Sequence, residues 1–154
     1  MLHNSDIVIS DTSCLILLSK VDELYLLNKI ASKVFITPSI EKEFGKILPT
    51  WIEVREPKDN HYQKILELDL DKGEASAIAL ALEIDNAIII VDDLKARKIA
   101  ENLKLRYSGI FGLILKAKQV GIIENIKPIL DKIKKTNFRF SERLLKALLD
   151  QAGE

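Results

Sequence analysis

The chain of 154 residues is poor in the side chains that usually build thiol or metal centres. Its one cysteine, Cys14, excludes an intrachain disulfide and a cysteine-based zinc site. A lone thiol suits a reducing compartment. Two histidines, His3 and His61, are too few for a histidine-rich metal site. No apolar run approaches ~18 residues, so no membrane-spanning helix is expected. Met1 to Asp6 has neither the basic nor the apolar stretch of a signal peptide, and a soluble cytoplasmic protein is expected. No glycine-rich phosphate loop and no Ser–His pair is present. Charge of one sign is lacking too, because 23 Lys and Arg meet 23 Asp and Glu. That balance excludes bulk neutralisation of phosphate as a function. It leaves open a segregated distribution around a catalytic contact.

The 47% hydrophobic and 30% charged composition is that of a folding chain. Its length reads as one domain over residues 1–154, large enough to bury a core without covalent staples. Short β-branched runs alternate with helical patterns. Strands are expected at Ile7 to Ile9, Val34 to Ile36, Trp51 to Val54, Ala87 to Val91 and Leu105 to Tyr107. The continuous apolar run Ala87 to Val91 suits a strand buried on both faces of a parallel sheet. Helices are expected from Cys14, capped by Asp11, Thr12 or Ser13, and over Asp22 to Ile30 with Leu24, Leu27 and Tyr25 inward. Others start at Pro38, a residue suited to the first helical position, and run over His61 to Leu68, Gly73 to Leu82 and Lys95 to Leu103. The last three cover Ile110 to Lys118, Ile123 to Lys134, and Ser141 onward to Gly153. Alternation of this kind means α/β with a parallel sheet.

In open α/β sheets, sites lie outside the carboxyl ends of the strands. Asp11 follows the first strand, and Asp92 and Asp93 follow the long buried one. Glu74 opens a helix, and Glu43 lies on the helix that Pro38 starts. Each has a plain structural role available. Asp11 and the Asp92–Asp93 pair could be caps, Glu74 suits a helix dipole, and Glu43 could be a solvated charge. Gathered at one edge, however, such carboxylates raise each other's pKa. A divalent cation relieves that penalty, and hard oxygen ligands suit Mg²⁺ or Mn²⁺. The residues therefore point to metal-assisted phosphodiester hydrolysis.

The same positions resemble the motifs of the PIN domain nucleases. Asp11-Thr12-Ser13 after a strand resembles the opening motif. Pro38-Ser39-Ile40-Glu41-Lys42-Glu43-Phe44 resembles the second, Gly73-Glu74 with its alanine-rich continuation the third, and Val91-Asp92-Asp93 with Ala96, Arg97 and Ala100 the fourth. Ser108 to Gly112, Lys116 to Lys118 with Gly121, and the final Ala152-Gly153-Glu154 resemble a small prokaryotic branch grouped as a domain of unknown function and related to VapC-type toxins. The resemblance runs from about Asp6 to the C-terminus. It implies an α/β/α sandwich with a five-stranded parallel sheet of order 3-2-1-4-5. It implies a Mg²⁺- or Mn²⁺-dependent endoribonuclease acting on RNA, dimeric, and silenced by a small antitoxin protein. It also implies that Thr12 or Ser13 orients the first carboxylate or a metal-bound water. Many members have Thr-x-Asp at the fourth motif, which counts to Asp93; the strand end and the branch's Asp-Asp favour Asp92. The implied ligands are Asp11, Glu74, Asp92 and Asp93.

Arg97 could pair with Asp93 or touch a phosphate. Lys127, Lys132, Lys134, Lys135, Arg139, Arg143 and Lys146 outnumber Asp131 and Glu142 nearby. They read as a solvated face, or as an RNA groove or a surface for an acidic partner. Phe138 and Phe140 flank Arg139 and read as packing rather than base stacking. Trp51, Tyr25 and Tyr62 read as core or interface residues. A receiver domain starting at Ala87 would need more chain than follows Asp93. A haloacid-dehalogenase-type phosphatase would need a second Asp two residues after Asp11, where Ser13 stands. The remaining competitor is a PIN-fold binding module without activity.

Overall fold

The computed structural model describes residues 6–154; the segment read for a leader, Met1 to Ser5, and with it His3, lies outside them. Four strands pair in sequence around the first. β1 (Ile7–Ser10) lies at the centre, with β2 (Lys33–Ile36) and then β3 (Ile52–Val54) on one side. β4 (Ala87–Ile90) and then β5 (Arg106–Ser108) lie on the other. All pairs are parallel and the order is β3-β2-β1-β4-β5, as the family resemblance implied. β4 is buried along its whole length, which is why its sequence does not alternate.

Helices flank the sheet in an α/β/α arrangement. They are α1 (Thr12–Lys20), α2 (Tyr25–Ile30), α3 (Pro38–Phe44), α4 (Asn60–Leu66), α5 (Lys72–Glu83), α6 (Leu94–Asn102), α7 (Ile110–Gln119), α8 (Lys127–Lys134) and α9 (Glu142–Gln151). Side-chain caps start most of them. Asp11, Thr37, Asp59, Asp71, Asp93 and Ser141 each accept the backbone N–H three residues on. The alanine-rich α5 is buried from Gly73 to Leu80 except for Glu74, because small side chains let it lie close to its neighbours.

Some boundaries differ from expectation. α2 begins at Tyr25 rather than Asp22, because Asp22 takes a left-handed φ of 59° that ends the α1 turn. Tyr25 points outward and is 42% exposed. α8 begins at Lys127 rather than Ile123, with Pro128 in its first turn. Tyr62 is also exposed, while Trp51 packs against the core. At the amino end of the sheet, the buried Asp6 receives a two-pronged bond from Arg106 at 2.8 and 2.6 Å, joining β1 to β5 far from the carboxyl ends. Among the described residues, no helix is long and apolar enough to cross a membrane.

Candidate active site

In this sheet the strand order reverses between β1 and β4, the place where α/β crevices open. Asp11 leaves β1 there, and its backbone N–H donates to the Ile90 carbonyl of β4 at 3.0 Å. The side chain is 3% exposed, and its Oδ1 accepts the Cys14 N–H at 2.9 Å. Asp11 is thus the N-cap of α1, the plain role available to it. Burial nevertheless pushes its carboxyl up from 3.8 to about 6, opposed by the Cys14 donors and reinforced by the charges of Asp92 and Asp71.

Glu74 enters from α5. Burial, then Asp71, Asp93 and Asp11, push its carboxyl up from 4.5 to about 7. The first turn of α5 is fixed from beneath. Ser76 Oγ donates to the Gly73 carbonyl at 2.7 Å and meets Thr37 Oγ1 at 2.6 Å. Thr37 caps α3, so this buried hydroxyl pair ties the helix of Glu74 to the helix of Glu43. Glu43 is held in turn by Thr12, whose Oγ1 donates to its Oε1 at 3.0 Å. A Cβ on Gly73 would collide with Glu43 Oε1 and stand 3.2 Å from Thr12 Oγ1. Glycine is what lets these groups close up. Thr12 therefore orients Glu43 rather than Asp11, and Ser13 lines the cleft with no side-chain hydrogen bond among the described residues.

Asp11, Glu43, Asp71 and Glu74, with Thr12 and Ser13, line one cleft of about 350 Å³. Asp92 and Asp93 lie outside its lining, Asp92 near enough to act on Asp11 and Asp93 on Glu74. Arg97 Nη2 pairs with Asp92 Oδ1 at 3.0 Å, not with Asp93. Arg97 Nε also donates to the Val91 carbonyl at 2.8 Å, and its guanidinium lies 5.8 Å from the Tyr107 ring centroid. The other oxygen of Asp92 accepts from Cys14 Sγ at 3.2 Å. Burial and the Asp11 and Asp92 charges push the Cys14 thiol well up, so it stays a proton donor. A Cβ on Gly109 would stand 2.5 Å from Asp92 Oδ1 and run into Arg97. Asp93 instead caps α6, its Oδ2 accepting the Ala96 N–H at 2.9 Å.

Sequence reasoning missed Asp71 and the Cys14–Asp92 contact. The Asp71-to-Glu74 spacing, that of an N-cap to the third helical residue, was a readable signal for the first. Nothing local announces the second, since 78 positions separate the partners.

Among the described residues, no three His, Cys, Asp or Glu stand together in a metal-holding arrangement. In kind, the donors fit a hard divalent cation. They are all carboxylate oxygens, and burial together with the neighbouring acids makes Asp11 and Glu74 hold their protons tightly. A PIN domain family model matches residues 7–154, and the chain belongs to that family. PIN domains are generally nucleases, which are hydrolases, built on this α/β/α frame. Comparison with the curated proteins finds no match.

Proposed function

We propose that this PIN domain is a Mg²⁺- or Mn²⁺-dependent endoribonuclease that hydrolyses RNA phosphodiester bonds as the toxin of a toxin–antitoxin pair. The observation that supports it most is the cleft in which Asp11 and Glu74 titrate at about 6 and about 7 among further carboxylates. A cation there would offset the burial and mutual repulsion that push these groups up. Asp11 and Glu74 would hold it from the two sides of the cleft, joined by Asp93, or by Asp92 once released from Arg97. When bound, the cation lowers the pKa of a water and offsets charge on the phosphoryl oxygens.

The chain's own residues supply the rest. Glu43, fixed by Thr12, is the carboxylate placed to accept the proton of the attacking water. Ser13, whose hydroxyl makes no hydrogen bond among the described residues, is free to hold a phosphate oxygen at the mouth. Arg97 stays at the edge, where its charge lowers the cost of bringing a phosphate near so many acids. A small acidic antitoxin would meet Lys135, Arg139, Arg143 and Lys146, which make no ion pair among the described residues, and the active form would be a homodimer.

The test is cleavage of RNA with Mn²⁺ by purified Asp11→Asn and Glu74→Gln. Each is expected to lose at least 100-fold, the order that removal of one charge-stabilising group costs. A variant as fast as the parent removes that residue from the site. The engagement of both Asp92 oxygens supports a second reading, a PIN-fold binding module without activity. Absence of Mn²⁺ binding at millimolar metal in calorimetry, with and without RNA, favours it.

A further inference from the structure

A second depression, a trough of about 320 Å³, shares Ser13 and Ile16 with the carboxylate cleft and so adjoins it along α1. Beyond the shared residues it is lined by Leu17, Lys20, Asn137 and Phe138. Its chemistry differs from that of the cleft. Its lining is aliphatic at Ile16 and Leu17, aromatic at Phe138 and cationic at Lys20. The Phe138 ring is held from behind by Phe111 at 5.8 Å, edge to face, and by Phe140 at 6.5 Å. Packing, the role expected for Phe138, thus fixes the ring that lines the trough.

The polar groups along the trough share one property. The side chains of Ser13, Lys20 and Asn137 make no hydrogen bond or ion pair among the described residues, whereas the nearby Thr12, Glu43, Asp92 and Arg97 are all engaged. The nine residues of α1, Thr12 to Lys20, rise about 13 Å along the helix that Asp11 caps. That places Lys20 within reach of a nucleotide flanking a phosphate bound at Asp11.

We propose that this trough is a nucleotide subsite for single-stranded RNA. The base beside the scissile phosphate stacks on Phe138, the Asn137 amide reads its edge, and Lys20 pairs with the next phosphate. A rigid aromatic, an uncommitted amide and a cation beside the cleft where the scissile phosphate would sit match the base and the following phosphate of one nucleotide. The subsite rests on the reading of the cleft as a ribonuclease site. It adds an explanation of how a chain with no net charge grips RNA, through a base and one phosphate rather than a long basic face.

The test uses the full chain and a fluorescent single-stranded RNA library randomised around the cleaved bond. Binding is read by anisotropy in the Asp11→Asn background, and cleavage by initial rates with Mn²⁺. Phe138→Ala is expected to weaken binding about tenfold, with the loss in KM. Asn137→Ala is expected to flatten the base preference next to the cut. Phe138→Leu, which keeps the packing on Phe111, is expected to lose binding like the alanine while melting like the parent. If the parent cleaves and these variants keep its affinity, KM and preference, the subsite is wrong and the ribonuclease reading stands. If the parent neither binds nor cleaves RNA, both fall. If Phe138→Ala keeps RNA affinity but turns an oligomer into a monomer in sedimentation, the trough belongs to a second copy and the proposal is overturned.

Discussion

At the scale of single residues, the site stores unfavourable electrostatics. Asp11 titrates at about 6 when folded and at its ordinary 3.8 when unfolded, so folding takes up a proton between those values. The contribution of Asp11 to stability is therefore most favourable below about pH 4 and falls as pH rises to about 6, where the folded carboxylate must ionise in a buried place. The full penalty at pH 7.5 is about 3 kcal/mol. Asparagine keeps the capping oxygen and carries no charge. Asp11→Asn is thus expected to be more stable than the metal-free parent by about 2 kcal/mol at pH 7.5 and equal to it near pH 4, as read by urea denaturation. Equal stability at both pH values would mean that Asp11 is not strained. Gly73→Ala acts differently. Its Cβ must displace Glu43 from Thr12, and the flexible end of Glu43 can yield. Cleavage is expected to fall at least tenfold with thermal stability within a few degrees of the parent, measured on one preparation. Residue identities at the strand ends were legible because burial and polarity change abruptly there. The direction of each side chain was not. Arg97 lies one turn after Asp93 yet reaches back to Asp92, because the absence of a Cβ at Gly109 leaves room there.

At the scale of elements, β1, β2 and β4 were readable from apolar runs alone, since a parallel strand buried on both faces has no other composition. Their order was readable only through family resemblance, because no local pattern says which strands pair. The ends of α2 and α8 escaped for a related reason. The apolar residues before them pack on the core without being helical. The tail motif gains a physical meaning. Gly153 turns the chain with φ of 76°, and Glu154 folds back. Its carboxylate accepts the N–H groups of Ile126 and Lys127 at 2.7 and 3.1 Å and the Lys118 ammonium at 2.9 Å. One side chain thus joins the ends of α7, α8 and α9. Burial alone would raise its carboxyl, but these donors hold it below its ordinary value. Glu154→Ala is expected to cost about 2 kcal/mol at pH 7, a loss that disappears as pH falls through the Glu154 value and the parent's carboxylate protonates. Hydrogen exchange should place the loosening at α8. Exchange unchanged there would deny the lock.

At the scale of the molecule, the zero net charge is a cancellation rather than an absence. Acids crowd the carboxyl edge of the sheet, while the last quarter holds the basic excess. Three of its lysines are spent internally, on Asp131, Glu23 and Glu142. The subsite proposed above engages one phosphate, so RNA binding should depend weakly on salt. A log–log slope of about −0.7, the value for one phosphate on a single strand, is expected for Asp11→Asn with RNA. A slope beyond about −5 would mean a long basic track. The central claim, that the cleft binds a divalent cation, is tested most directly by anomalous scattering from a crystal soaked in Mn²⁺. A peak shared by Asp11 and Glu74, with Asp92 or Asp93 completing its ligands, is the expected result. A well-diffracting soaked crystal with no peak in the cleft, or with manganese bound only elsewhere, would contradict it.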